Sequence, residues 1–148
     1  MKIKEFFAKQ SVGFYVGAAA TILMLIGTIM LAANGTRAYY NDYNPIVPLL
    51  GCLAVVAATA LIVVSQFVRI PHIEAVWIIA AVLATAGLML AISMRVESMA
   101  YILGSHLEDA NPLARPALFN FFASAIVMFI GIVTAVVAAF FGIRKENA

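Results

Sequence analysis

The chain has 148 residues, of which 65% are hydrophobic and only 11% charged, with a net charge of +2. An ordinary soluble domain carries about 25% charged residues, so a soluble fold is excluded. The few cations form no basic stripe, which excludes nucleic-acid binding.

The first lysines, Lys2, Lys4 and Lys9, precede an apolar run over Val12–Ala33. Charge followed by apolar sequence resembles a signal peptide. The run is too long, however, for an h-region of about 7–15 residues. It has the length of a retained membrane span, for which a ~30 Å hydrocarbon core requires about 20 residues. Helices associate in lipid where small residues let backbones approach, and this span carries Gly13-x-x-x-Gly17. That pair is the leading candidate for helix packing, either inside a bundle or against a partner helix.

The next segment, Asn34–Asn44, reads as a loop. Asn34 and Gly35 suit a helix C-terminal cap. Asn34-Gly35-Thr36 matches a glycosylation sequon, which the chance occurrence of so short a motif explains. Tyr39, Tyr40 and Tyr43, with Asp42 among them, are the densest aromatic group outside the apolar runs. Such a group forms an interfacial tyrosine belt or a contact surface for a ligand or partner. Pro45 and Pro48 then suit the entry of a second span, Ile46–Val68. The lone cysteine, Cys52, lies in it; it pairs with nothing in the chain and reads as a small packing residue.

Arg69-Ile70-Pro71-His72-Ile73-Glu74 is a short turn, so the helices on either side are antiparallel neighbours. The third span is placed at Ala75–Met94 and ended at Arg95. Beyond it, Val96, Met99, Leu103 and Leu107 recur at helical spacing. They predict a short, separate amphipathic helix on the outer surface. His106, Glu108 and Asp109 make only a loose ligand set, and no metal site is assigned. Asn111-Pro112 and Arg115-Pro116 introduce the fourth span, Ala117–Ile143, with the small-residue series Gly131, Ala135 and Ala139.

The fold class is therefore all-α. A single polytopic domain covers 1–148, a four-helix transmembrane bundle with a short outer amphipathic helix. None of the four spans contains Asp, Glu, Lys, Arg or His. Proton-coupled transport needs such a residue in the pathway and is not expected. Lys2, Lys4, Lys9, Arg69, Arg144 and Lys145 fall on one side of the bundle, and only Arg37, Arg95 and Arg115 on the other. The positive-inside rule puts both termini in the cytoplasm and the protein in the plasma (inner) membrane.

Phe14-Tyr15 at the start of span one, the Tyr-rich Asn34–Asn44 loop and Asn120-Phe121-Phe122 entering span four carry a resemblance. The chain is similar to small bacterial four-span membrane proteins of unknown function. It is also similar to four-span segments attached to membrane-bound family 3 glycoside hydrolases. The resemblance implies a cell-envelope or glycan-related setting. It supplies no catalytic residue, because the glycosidase domain is absent from this sequence.

Three functions follow as expectations. The first is a non-enzymatic membrane scaffold or accessory subunit, working with another membrane protein or as a homo-oligomer in the lipid bilayer. The second is a passive or oligomeric transporter or channel lacking a membrane carboxylate. The third is a membrane enzyme using the outer groups Asp42, Glu97, His106, Glu108 and Asp109. No spacing signature marks those groups as convergent, so no catalytic residue and no cofactor are assigned.

Overall fold

The computed structural model describes residues 2–37 and 39–143. Among these residues five α-helices follow one another: α1 (Lys2–Ala8), α2 (Val12–Gly35), α3 (Ile46–Phe67), α4 (Val76–Gly104) and α5 (Ala114–Ala138). A 3₁₀ turn, Ile73–Ala75, leads into α4. The four long helices are each long and apolar enough to cross a membrane. They form an all-α four-helix bundle in which α2 and α4 lie on a diagonal, each packed against α3 and α5. One end of the bundle, the near end, carries α1, the 68–75 turn and residues 139–143. The far end carries the 36–45 and 105–113 connections.

Local chemistry explains the helix boundaries. Asn44 and Asn111 each precede a proline, and each accepts a hydrogen bond through its side-chain oxygen from the amide two residues on. These bonds, to Ile46 and Leu113, are both 3.0 Å. The same Asx turn thus leads into α3 and α5. Pro116 sits in the first turn of α5, where its missing N–H costs nothing. Val68 turns extended after α3, and Pro71 prevents the helix from resuming.

The helices meet through glycine. At mid-bundle a Cβ on Gly27 would stand 2.9 Å from the Met128 Cα, and one on Gly131 would stand 3.0 Å from the Met24 amide nitrogen. The α2 and α5 backbones are therefore nearly in contact there, as small-residue packing in lipid requires. On the other side of α2, a Cβ on Gly51 would strike the Thr28 hydroxyl. Ala20, Met24, Ala54, Ala58, Ala84, Met128 and Ala135 fill the space between the helices and are fully or almost fully buried. Ala139 packs against the same core at the near end. The hydroxyls in the spans mostly bond their own helix: Thr21 to Gly17, Thr28 to Met24, Thr85 to Ala81, Ser124 to Asn120. They need no further partner.

Several sequence-based expectations change. Gly13 and Gly17 are not a spare seam for a partner helix. A Cβ on Gly13 would run into the Phe141 and Gly142 carbonyls, and one on Gly17 into the Trp77 ring, so both are used within the chain. The Trp77 indole Nε1 is, among the described residues, buried without a hydrogen-bond partner. Cys52 does not pack in the core; it faces outward from α3, where lipid would surround it. The fourth span starts earlier and stops earlier than its apolar run, since residues 139–143 turn back over the near end. There the Ser11 amide donates to the Ile143 carbonyl at 3.0 Å.

The largest difference is at α4. Among the described residues there is no separate outer amphipathic helix: α4 runs unbroken to Gly104, and the chain then turns through 105–113. Neither Gly nor Pro interrupts Met94–Leu103, so nothing stops the helix where the charge appears. Of the anticipated apolar face, Met99 packs against the core. Val96, Leu103 and Leu107 are exposed, whereas Arg95 and Ile102 are buried. These two continue the inward stripe of Ala80, Ala84, Leu88 and Ala91 at helical spacing.

Candidate functional site

At the far end, three elements bring polar groups together inside the bundle. The last turn of α2 supplies Asn34, only 1% exposed. It is a buried helical residue rather than a loop cap, which also removes it as a glycosylation acceptor. The sixth turn of α4 supplies Arg95, 4% exposed. The 36–45 connection supplies Tyr40 and Asp42. Arg95 is thus a buried ionisable residue just beyond Ala75–Met94, a segment that itself carries no charge.

The Arg95 guanidinium is held on three sides. It forms a two-pronged pair with Asp42, with Nη1 donating to Oδ2 at 2.6 Å and Nη2 to Oδ1 at 3.0 Å. Its Nε donates to the Asn34 side-chain oxygen at 3.1 Å. Its central carbon lies 3.7 Å from the centre of the Tyr40 ring, a cation–π arrangement. Asn34 then uses its amide nitrogen on α5, donating to the Ala117 carbonyl at 3.0 Å and to the Asn120 side-chain oxygen at 3.1 Å. One network ties α2, α4, α5 and the 36–45 connection. The planar fork of Arg suits this double contact in a way Lys does not.

The backbone serves the same geometry. Gly35 accepts from the Asp42 amide at 3.0 Å, and Arg37 from the Asn41 amide at 2.8 Å. The loop folds back so that Asp42 reaches Arg95. Asn41 adopts the left-handed region, φ 43°, which Asn tolerates better than most residues. Beside the pair lies a cavity of about 20 Å³ lined by Asn34, Asp42, Asn44 and Arg95 among others. That is room for about one water molecule, and far too little for a substrate.

Of the candidate contact residues, Tyr40 and Asp42 belong to this network. Tyr39 is half-buried, stacked edge-on against Tyr40 with ring centres 5.0 Å apart. Its hydroxyl is pushed above the ordinary value of 10.0, first by partial burial, then by the negative charge of Glu108 and by neighbouring Tyr40. Tyr43 is 51% exposed and makes the outward face of the group. Arg95, Asn34 and Asn120 were missed from sequence. The signal for Arg95 was its place one helical step beyond Ala91 in an unbroken helix.

Asp42, the His106–Asp109 pair and Glu108 make three separate contacts. Asp42 is taken up by Arg95. His106 Nδ1 and Asp109 lie 2.7 Å apart on an exposed turn, and Glu108 accepts from Asn111 at 3.3 Å. Among the described residues no group of three His, Cys, Asp or Glu side chains is placed to hold a metal ion.

Comparisons with protein-family models, curated proteins and solved structures find no match to this chain.

Proposed function

We propose that this chain is a non-enzymatic integral membrane scaffold or accessory subunit. It would present the far-end face of Tyr39, Tyr40, Asp42 and Tyr43 to another membrane protein or to a second copy of itself. The observation that carries the reading is the use to which Arg95 is put. It is the charged group buried in the bundle among the described residues, and it is spent on fixing a loop against three helices. A guanidinium held in this way serves the structure, through the planar fork that matches a carboxylate. Backbone-close packing of α2 on α5 at mid-bundle also leaves no path for a solute between those helices.

A rigid surface loop on a packed bundle suits recognition, because a pre-ordered contact loses less entropy on binding. Exposed Tyr43 supplies the aromatic area that interfaces favour. The resemblance to envelope-associated four-span segments supports a cell-envelope or glycan-related complex as the setting. Lys2, Lys4, Lys9 and Arg69 at the near end, against Arg37, Arg95 and Arg115 at the far end, support both termini in the cytoplasm by the positive-inside rule, with the plasma (inner) membrane as the proposed setting.

The test is purification in mild detergent with identification of co-purifying protein. A stoichiometric partner or self-association is expected, and it should be lost in Tyr43→Asp while the thermal melt is unchanged. Solute flux by the purified chain alone in liposomes, with no partner retained, would overturn the reading in favour of transport. Orientation is tested separately in a Cys52→Ser background. A cysteine at Ser105 should react with an impermeant reagent applied outside the cell, and one at Lys9 should not. The opposite pattern reverses the topology.

A further inference from the structure

The near end holds a second site that the scaffold reading does not use. Helix α1 folds back on the start of α2 through rings: Phe6 meets Phe14 edge-on at 5.8 Å, and Phe7 stacks on Tyr15 at 6.4 Å. The Tyr15 hydroxyl donates to the Phe7 carbonyl at 3.2 Å. At the hinge, Gln10 is 3% exposed and forms a reciprocal amide pair with Gln66 of α3. Gln10 Nε2 donates to Gln66 Oε1 at 2.8 Å, and Gln66 Nε2 donates back at 3.3 Å. This pair ties the hinge after α1 to the last turn of α3, and a cavity of about 330 Å³ opens beside it, lined by α1, the hinge and the end of α3. Small-molecule sites run from roughly 300 to 1,000 Å³.

The lining has two chemistries. Lys2, Lys9 and Glu5 are charged, the Gln10–Gln66 pair is polar, and Phe6 and Phe67 are apolar. Two ammonium groups and one carboxylate leave a net charge of +1, which one phosphodiester neutralises. Neither lysine is in an ion pair among the described residues. The level is informative as well. The cavity lies where the apolar runs of α2 and α3 stop, which is where headgroups lie. Phe67, 83% exposed, stands at the last turn of α3 beside the acyl region.

We propose that this cavity binds the headgroup of an anionic phospholipid of the phosphatidylglycerol type. Lys2 and Lys9 take the phosphate, and the acyl chains run along Phe67 and the outer face of α3. An exposed ion pair contributes at most about 1 kcal/mol, so each lysine that touches the phosphate should matter up to about fivefold.

The test is native mass spectrometry of the full chain from detergent, with phosphatidylglycerol and phosphatidylcholine as probes. Preferential retention of phosphatidylglycerol is expected, falling by up to about fivefold in Lys2→Gln and in Lys9→Gln. Lys4→Gln, outside the cavity lining, should leave retention unchanged. Glu5→Gln should raise it by up to about fivefold, a gain that misfolding cannot produce. Equal retention of the two lipids, an equal loss in Lys4→Gln, or no gain in Glu5→Gln would each overturn the proposal. Complete displacement by millimolar glycerol 3-phosphate would also overturn it, by assigning the site to a free phosphate compound.

Discussion

Replacing Asp42 with Ala is expected to destabilise the bundle by about 2 kcal/mol, and more than replacing its partner Arg95 with Met. The asymmetry follows from where the two ends of the pair sit. The Arg95 side chain is 5% exposed and that of Asp42 is 42% exposed. Breaking a fully buried pair by removing one partner costs about 3–5 kcal/mol, whereas an exposed pair contributes at most about 1. Losing Asp42 leaves the guanidinium buried with only Asn34 and the Tyr40 ring against it. Water reaches the Asp42 side of the site, so the cost falls between the two limits. Losing Arg95 leaves Asp42 free to turn into solvent, and Met fills much of the vacated space. The remaining penalty is the Asn34 oxygen without its donor, about 1–2 kcal/mol. The double variant should cost no more than Arg95→Met alone, because Asp42 has nothing to hold once the guanidinium is gone. Reversible unfolding in mixed micelles measures all three. An Arg95→Met loss equal to or larger than that of Asp42→Ala would show that the charge is not what the loop is there to neutralise.

The same residues show how far the sequence could be read. The span count was legible because span length and apolarity are imposed by the bilayer, not by the fold. The starts of α2 and α3 were legible for the same reason, with Asn44-Pro45 marking the entry to α3. The end of α4 was misread because charge was taken as the edge of a helix. Charge marks the edge of lipid; helices end at Gly, Pro or a competing cap, and α4 meets none before Gly104. Arg95 therefore remained in helical register and pointed inward. Its partners were not legible at all. Asn34 lies 61 positions away from it and Asp42 lies 53 positions away, and a single sequence carries no signal linking such positions. Helix α1 was hidden by its brevity, as its seven residues are held by rings on α2 rather than by propensity. The small-residue seams were visible as patterns. Which surface each would meet, a Trp77 ring or a Met128 backbone, depends on helix rotation within the bundle, and that is a property of the whole packing.

That dependence makes Gly27 a demanding position, because the neighbour it meets is backbone inside another long helix. Gly27→Leu is expected to abolish the native bundle, with a loss above about 3 kcal/mol. Overpacking a core ordinarily costs about 1–3 kcal/mol, because side chains can rotate and neighbours shift. Here the atom in the way is the Met128 Cα, with the Met128 amide nitrogen 3.1 Å from the same point. Backbone inside α5 has no rotamer to change. Relief requires α2 and α5 to separate, and this pair forms the most extensive helix interface in the bundle. Gly17→Ala tests the contrast. Its added methyl meets the Trp77 ring, a side chain rather than backbone, but a fully buried one, so a loss within the ordinary overpacking range of about 1–3 kcal/mol is expected. Gly104→Ala supplies the opposite limit. Nothing lies within 4 Å of its added methyl, and removing a helical glycine stabilises by about 0.5–1 kcal/mol. Thermal melts in one detergent should therefore rank Gly104→Ala above the unmodified chain, Gly17→Ala below it, and Gly27→Leu with no cooperative transition. A cooperative melt for Gly27→Leu near that of the unmodified chain would mean that α2 and α5 are not in backbone contact. The close-packed interior, on which the case against a solute path rests, would then fall with it.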